Sequence, residues 1–235
     1  MDDVLHKSQL RIKKSLEKGF EYHHLAILRS EKFLRKHDSE RLPFFVLYVD
    51  LVGSTKMSSD LEPDVFNIII RTFSQEMAYV IEQFDGYVLK FVGDAVLGFF
   101  ASNSCHCIVA NKIVACMKMM HKVVDGAINP VFEHNSYPKL QVKVTVDYGD
   151  CSIVRYGSDK HKSHIDLIGL TLNLAAKMQQ VTKPGKVTIG EHVYEKLRTS
   201  NQEYFTQTKS NSKSWKYHGL KDSRTYHLYK SRLIR

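Results

Sequence analysis

Two aspartates interrupt apolar runs in this chain. Asp50 closes Phe44-Phe45-Val46-Leu47-Tyr48-Val49, and Asp94 follows Gly93 between Tyr87–Val92 and Ala95–Phe100. A carboxylate at the end of a buried strand is costly unless a cation pairs with it, so two of them predict a shared divalent metal. Two such ions stabilise both the attacking and the departing oxygens of an in-line phosphoryl or nucleotidyl transfer. Just beyond Asp50, Gly53-Ser54-Thr55 offers backbone N–H groups that can wrap a polyphosphate. Together these residues describe a nucleoside triphosphate site.

The elements that must position them follow from periodicity. The pattern predicts a strand over 44–50, then a helix over 61–84 whose buried stripe is Leu61, Val65, Ile69, Phe73, Met77, Val80 and Phe84. Asp85-Gly86 reads as a turn, followed by the two strands that flank Gly93-Asp94. A helix over 104–125 precedes a loop with Pro130 and Pro138, then strands over 140–146 and 150–156. A helix over 168–181, a strand over 186–189, a short helix to 198 and a terminal strand pair around 214–229 complete the chain. The order β-α-β-β-α-β predicts an α+β, ferredoxin-like sandwich with extra C-terminal strands. Residues 1–42 are rich in Lys, Arg and His, with Leu5, Ile12, Leu16, Phe20, Leu25, Leu28 and Leu34 near helical spacing. They read as a basic amphipathic helical arm, separated by Pro43 from a main domain over 43–235.

Bulk properties bound the function classes. At 235 residues and 43% apolar composition the chain can bury one substantial core. Its 34 Lys+Arg against 25 Asp+Glu give a net charge of +9, which favours an anionic partner. Nucleic acid is not the expected one, because no strand pair interleaves Arg/Lys with aromatics as RNA-binding strands do. No apolar stretch approaches the roughly 20 residues needed to span a bilayer, and the N-terminus lacks a signal-peptide core, so a cytoplasmic protein is expected. Cys105, Cys107, Cys116 and Cys151 form no zinc-type spacing. Cys105-His106-Cys107 reads as reduced thiols, partly buried at a helix start.

Three blocks resemble, in order and spacing, the signature blocks of class III nucleotidyl cyclase catalytic domains: Val49–Thr55, Leu89–Ala95 and Asp166–Met178. The resemblance implies a cyclase sandwich over about 44–230 and assigns roles residue by residue. Asp50 and Asp94 match the metal-binding carboxylates and the Leu51 carbonyl the usual third ligand, for two Mn²⁺ or Mg²⁺ ions. Lys90 and Asp166 match the pair that reads the base edge, and Asn173 the residue that orients the ribose. Lys177 stands where the family usually has Arg on the phosphate under attack, and an ammonium lacks the bidentate guanidinium grip. Asn173 and Lys177 are four apart on a predicted helix and so share one face. Lys216 and Lys221, near Gly219, are candidates for the family's terminal-phosphate lysine. The implied reaction is attack of the ribose 3′-hydroxyl on the α-phosphate, giving a 3′,5′-cyclic nucleotide and pyrophosphate without a side-chain general base. It also implies a head-to-tail homodimer with two shared sites.

The base is left open by edge chemistry. Lys90 donates and ionised Asp166 accepts, which suits the edges of adenine, cytosine and uracil alike. Tyr48 lies two residues before Asp50, on the same strand face, where purine-specific members commonly have Phe. Its bulk and hydroxyl resemble the pyrimidine cyclases of bacterial anti-phage (Pycsar-type) signalling, short single-domain chains that make cUMP or cCMP as an antiviral second messenger. The alternatives are an adenylate cyclase making cAMP, and an inactive cyclase-like module for nucleotide binding or dimerisation.

Overall fold

The computed structural model describes residues 2–20, 25–102, 105–157, 159, 163–208, 215, 217 and 225–232. The chain opens with helices α1 (Asp2–Lys18) and α2 (Leu25–Lys36). Strand β1 (Arg41–Leu51) is followed by α3 (Ser54–Asp60), α4 (Pro63–Gln83), β2 (Tyr87–Val92) and β3 (Ala95–Ala101). Helix α5 (His106–Val123) runs through a π-helical turn (Val124–Ile128) into α6 (Asn129–His134). Then come β4 (Val142–Tyr156), β5 (His164–Ile168), α7 (Leu170–Val181), β6 (Val187–Gly190), α8 (Glu191–Tyr194), α9 (Thr199–Gln202), β7 (Phe205–Gln207) and β8 (Leu228–Ser231). One sheet runs β2-β3-β1-β4-β6-β8-β7, with β5 also paired to β4; among the described residues β4 and β6 are the one parallel pair. This is the expected α+β architecture.

β1 reads as a continuous apolar run because the sheet is covered on both faces. Phe45, Leu47, Val49 and Leu51 join the core made with α4 and α5, while Phe44 and Val46 join a second core with Leu34 of α2 and the buried side of α7. The same alternation puts Val142, Val144 and Val146 of β4 in the first core and Lys143, Thr145 and Asp147 on the other face.

Several boundaries differ from the sequence expectation. β1 begins at Arg41, so Pro43 lies inside it, one residue beyond the reach of β3, where a missing N–H is tolerated. The long helix starts at Pro63, because proline favours the first helical position, and Leu61 ends the short α3. The strands expected over 140–146 and 150–156 are one strand, as Asp147-Tyr148-Gly149 stays extended and paired with β1. β5 was not anticipated, and α7 starts after it at Leu170. Of the terminal strand pair expected around 214–229, β8 is in place and pairs with β6 and β7, while most of the segment around 214 lies outside the described residues.

Residues 1–42 include two helices that dock on the core, with Ile12 and Leu34 buried. Arg11 secures α1: its Nε and Nη2 donate to Glu76 at 3.0 and 2.6 Å, and its guanidinium lies 4.2 Å from the Tyr79 ring centre. Glu76 is buried, so this pairing is what makes its charge tolerable.

Candidate active site

The antiparallel register of β1 and β3 sets Asp50 opposite Ala95, next to the hairpin turn that carries Asp94. Gly93 makes that turn with a φ of +60°, and the Leu51 N–H donates to the Asp94 carbonyl at 3.4 Å. The Asp50 carboxyl is pushed above its ordinary range, first by burial, with the facing Asp94 charge adding to the rise and Lys143 opposing it. Lys143 comes from β4, in register with Asp50, and its Nζ is 2.8 Å from Asp50 Oδ2. Both side chains are mostly shielded, Lys143 at 24% exposure and Asp50 at 18%.

Two carboxylates and the main-chain carbonyl of Leu51 make an all-oxygen donor set, which suits a hard divalent cation such as Mg²⁺ or Mn²⁺. Among the described residues no cluster of three or more His, Cys, Asp and Glu is present, so a cation here would keep coordination positions for substrate phosphate. Cys105 and Cys107 are exposed rather than partly buried, and His106 Nδ1 lies 2.6 Å from Ser102 Oγ and 3.0 Å from the Tyr148 hydroxyl. Gly53, with φ +76° and open space around it, precedes α3. The N–H groups of Ser54 and Thr55 lie in the first helical turn and have no intrahelical acceptor.

A second constellation assembles on the face shared with α7. Lys90 of β2 contacts Asp166 of β5 through Nζ and Oδ2. Asp166 Oδ1 also accepts the Leu167 N–H at 2.9 Å, and His164 Nε2 stands 3.9 Å from Oδ2. Tyr48 is half-buried beside them, its phenol pushed up by burial and then by the Asp166 charge. Tyr48, Lys90 and Asp166 therefore meet although they lie on three different strands.

On α7, Leu172, Leu174, Ala175 and Met178 are buried, while Asn173 and Lys177 are exposed one turn apart. Gln179 ties this helix to the sheet, donating to the Tyr48 carbonyl and to Thr145 Oγ1, each at 3.1 Å. Lys216, Lys221, His218 and Gly219 lie outside the described residues. The cation that sequence reasoning missed is Lys143. Its signal was a charged residue on the polar side of the alternation Val142, Val144, Val146.

A family model described as "Adenylate and Guanylate cyclase catalytic domain" matches residues 40–230. The chain is 25% identical over 172 residues to a cytidylate cyclase of Escherichia coli, covering 68% of this chain and 36% of that protein. It is 29% identical over 144 residues to a uridylate cyclase of Rhodovulum sp. (strain MB263), covering 57% of each. The chain thus spans about a third to somewhat over half the length of these two relatives. Among solved structures, the crystal structure of the guanylyl cyclase Cya2 superposes with a TM-score of 0.69 at 19% identity, over 84% of this chain and 95% of that one. That likeness establishes the fold.

Proposed function

We propose, on the premise that this chain belongs to the adenylate and guanylate cyclase catalytic domain family, that it converts a nucleoside triphosphate into its 3′,5′-cyclic nucleotide and pyrophosphate. The observation that carries this reading is the pair of constellations adjoining β1: Asp50, Asp94 and Lys143 at its end, and Tyr48, Lys90 and Asp166 beside it. One suits a metal-bound triphosphate and the other a base edge.

Each residue has a defined task. Asp50, Asp94 and the Leu51 carbonyl hold the divalent cations, which when bound lower the pKa of the 3′-hydroxyl and offset triphosphate charge. Gly53, Ser54 and Thr55 direct N–H groups at phosphate oxygens. Lys143, 2.8 Å from Asp50, would add its own positive charge beside the triphosphate when Asp50 holds a divalent cation. Asn173 orients the ribose, and Lys177 meets the charge developing on the α-phosphate. Both project from the open side of α7, so the proposed enzyme is a head-to-tail homodimer in which one subunit supplies the aspartates and its partner the α7 pair.

The proposed substrate is a pyrimidine triphosphate, UTP or CTP. Two observations support it: the Tyr48 phenol lies within electrostatic reach of Asp166, where it adds bulk and a hydroxyl to the base pocket, and relatives are named cytidylate and uridylate cyclases. Length carries no part of the choice: the match covers 36% of the cytidylate cyclase, but equal shares, 57%, of this chain and of the uridylate cyclase. On this reading the product is an antiviral second messenger. ATP is the second reading, since Lys90 and Asp166 match the N1 and amino edge of adenine equally well. Incubation with Mn²⁺ and each of ATP, GTP, CTP and UTP, followed by mass analysis of products, tests both. The expected result is cUMP or cCMP in excess; cAMP in excess selects the second reading, and no cyclic product from any of the four refutes cyclase activity.

A further inference from the structure

Helix α2 lies against the two strands that carry the base-reading pair. At its N-terminal end, Arg29 Nη1 donates to the Gly86 carbonyl at 3.1 Å, and its guanidinium stands 4.5 Å over the Tyr87 ring. Gly86 and Tyr87 are the root of β2, four and three residues before Lys90. Toward its C-terminal end, Arg35 Nη2 donates to the Ser163 carbonyl at 2.7 Å. Ser163 is the root of β5, three residues before Asp166. The two arginines are six residues apart, about 9 Å along the helix axis. Between them Phe33 packs on Tyr87, ring centres 4.8 Å apart, and Leu34 is buried in the core that also holds Leu89, Ile165 and Leu167.

The geometry past Arg35 reinforces the attachment to the β4–β5 hairpin. Asp38 pairs with Arg155 at 2.8 Å, and the Ser39 N–H donates to the Ile153 carbonyl at 3.2 Å. Arg155 stands opposite Ile165 in the ladder, one residue from Asp166. Meanwhile Arg35 Nη1 is buried with no hydrogen-bond partner among the described residues. Arg35 Nη2 also stands 3.9 Å from Glu31 Oε2 on its own helix. Lys90 and Asp166 reach each other across the strands between them, so no ladder of direct pairing sets their separation. Helix α2 touches both roots.

We infer that α2 is a strut that sets the spacing of Lys90 and Asp166, with Arg29 and Arg35 as positioning residues for base selection. The inference rests on the cyclase reading for its role but has its own readout. A two-point contact with a base edge discriminates only if donor and acceptor sit at a defined separation, and a misplacement of about 1 Å can cost about 100-fold. Lengthening or freeing one root therefore weakens the favoured nucleotide more than the others, which never made both contacts.

The test measures binding of non-cyclisable α,β-methylene analogues of UTP, CTP, ATP and GTP with Mn²⁺, to the wild-type chain, Arg29→Met, Arg35→Met and Arg35→Lys. Methionine retains the aliphatic packing, and Arg35→Lys keeps the charge without the guanidinium reach. Expected is a loss of the favoured-to-disfavoured affinity ratio of about tenfold in both Met variants, partial recovery in Arg35→Lys, and little change for the weakest analogue. A uniform loss across all four analogues, an unchanged ratio, or a wild type without base preference overturns the strut. If a Met variant fails to fold, faster amide exchange in Tyr87–Leu89 and Ile165–Leu167 of Arg35→Lys decides the matter, and unchanged exchange there overturns it. Cyclic product is read separately from the wild type, so failure of the cyclase reading and failure of the strut are distinguishable.

Discussion

Replacing Lys143 by methionine probes the aspartate pair directly. The side chain keeps its length and loses its charge, which leaves Asp50 facing Asp94 with no ammonium at 2.8 Å. At an effective dielectric near 20, unit charges about 4 Å apart attract by roughly 4 kcal/mol, and much of that is offset by desolvation. With exposures of 24% and 18% the pair falls between surface pairs, worth about 0–1 kcal/mol, and fully buried ones, whose rupture costs about 3–5 kcal/mol. A loss of about 2 kcal/mol is expected, or about 4–8 °C in Tm for a chain of this size. Millimolar Mn²⁺ supplies a replacement counter-charge, so the deficit should shrink by at least half when metal is present. Thermal melts of both proteins, with EDTA and with Mn²⁺, provide the comparison. A deficit of equal size in both conditions, or none in either, would refute the view that Lys143 occupies the electrostatic place of a cation.

Three further predictions follow from the same geometry. Asp50→Ala and Asn173→Ala should each abolish turnover, yet an equimolar mixture should regain about a quarter of wild-type activity, because half the dimers are mixed and each carries one intact site; no recovery argues against shared sites. Tyr48→Phe removes the hydroxyl beside Asp166 and should shift kcat/KM toward purine triphosphates by about tenfold; an unchanged ratio removes the phenol from base selection. Asp147 is fully buried and accepts the Tyr226 hydroxyl at 2.5 Å, and burial pushes its carboxyl up to about 7. Between pH ~4 and ~7 the folded chain then holds a proton that the unfolded chain has lost. Its contribution to stability therefore falls as pH rises through that window, by roughly 4 kcal/mol at most. Asp147→Asn should gain Tm over wild type progressively from pH 4 to 7, and parallel Tm curves would show that Asp147 is ionised throughout.

Local chemistry was legible where it is encoded within a few residues. Asp50 and Asp94 stood out because a carboxylate against an apolar strand is anomalous wherever the chain folds, whereas Leu51 entered only through the resemblance to cyclase blocks. The shared face of Tyr48 and Asp50 followed from strand alternation, and that of Asn173 and Lys177 from the helical repeat. The single-strand nature of β4 was not legible, because Asp147 looks like a turn residue until Tyr226, far along the chain, satisfies it. β5 was missed for a related reason: a five-residue strand carrying His164 and Asp166 shows no sustained alternation until β4 pairs with it.

By itself, then, the order of residues determined the α+β architecture, the place of the two aspartates and the resemblance to cyclase blocks, since each depends on short-range periodicity. Only tertiary structure decided that Lys143 is the cation at Asp50 and that α2 grips the roots of the strands carrying Lys90 and Asp166. Those pairings join segments up to 128 residues apart. Their partners are chosen by sheet register and helix docking, which no window of neighbouring residues contains.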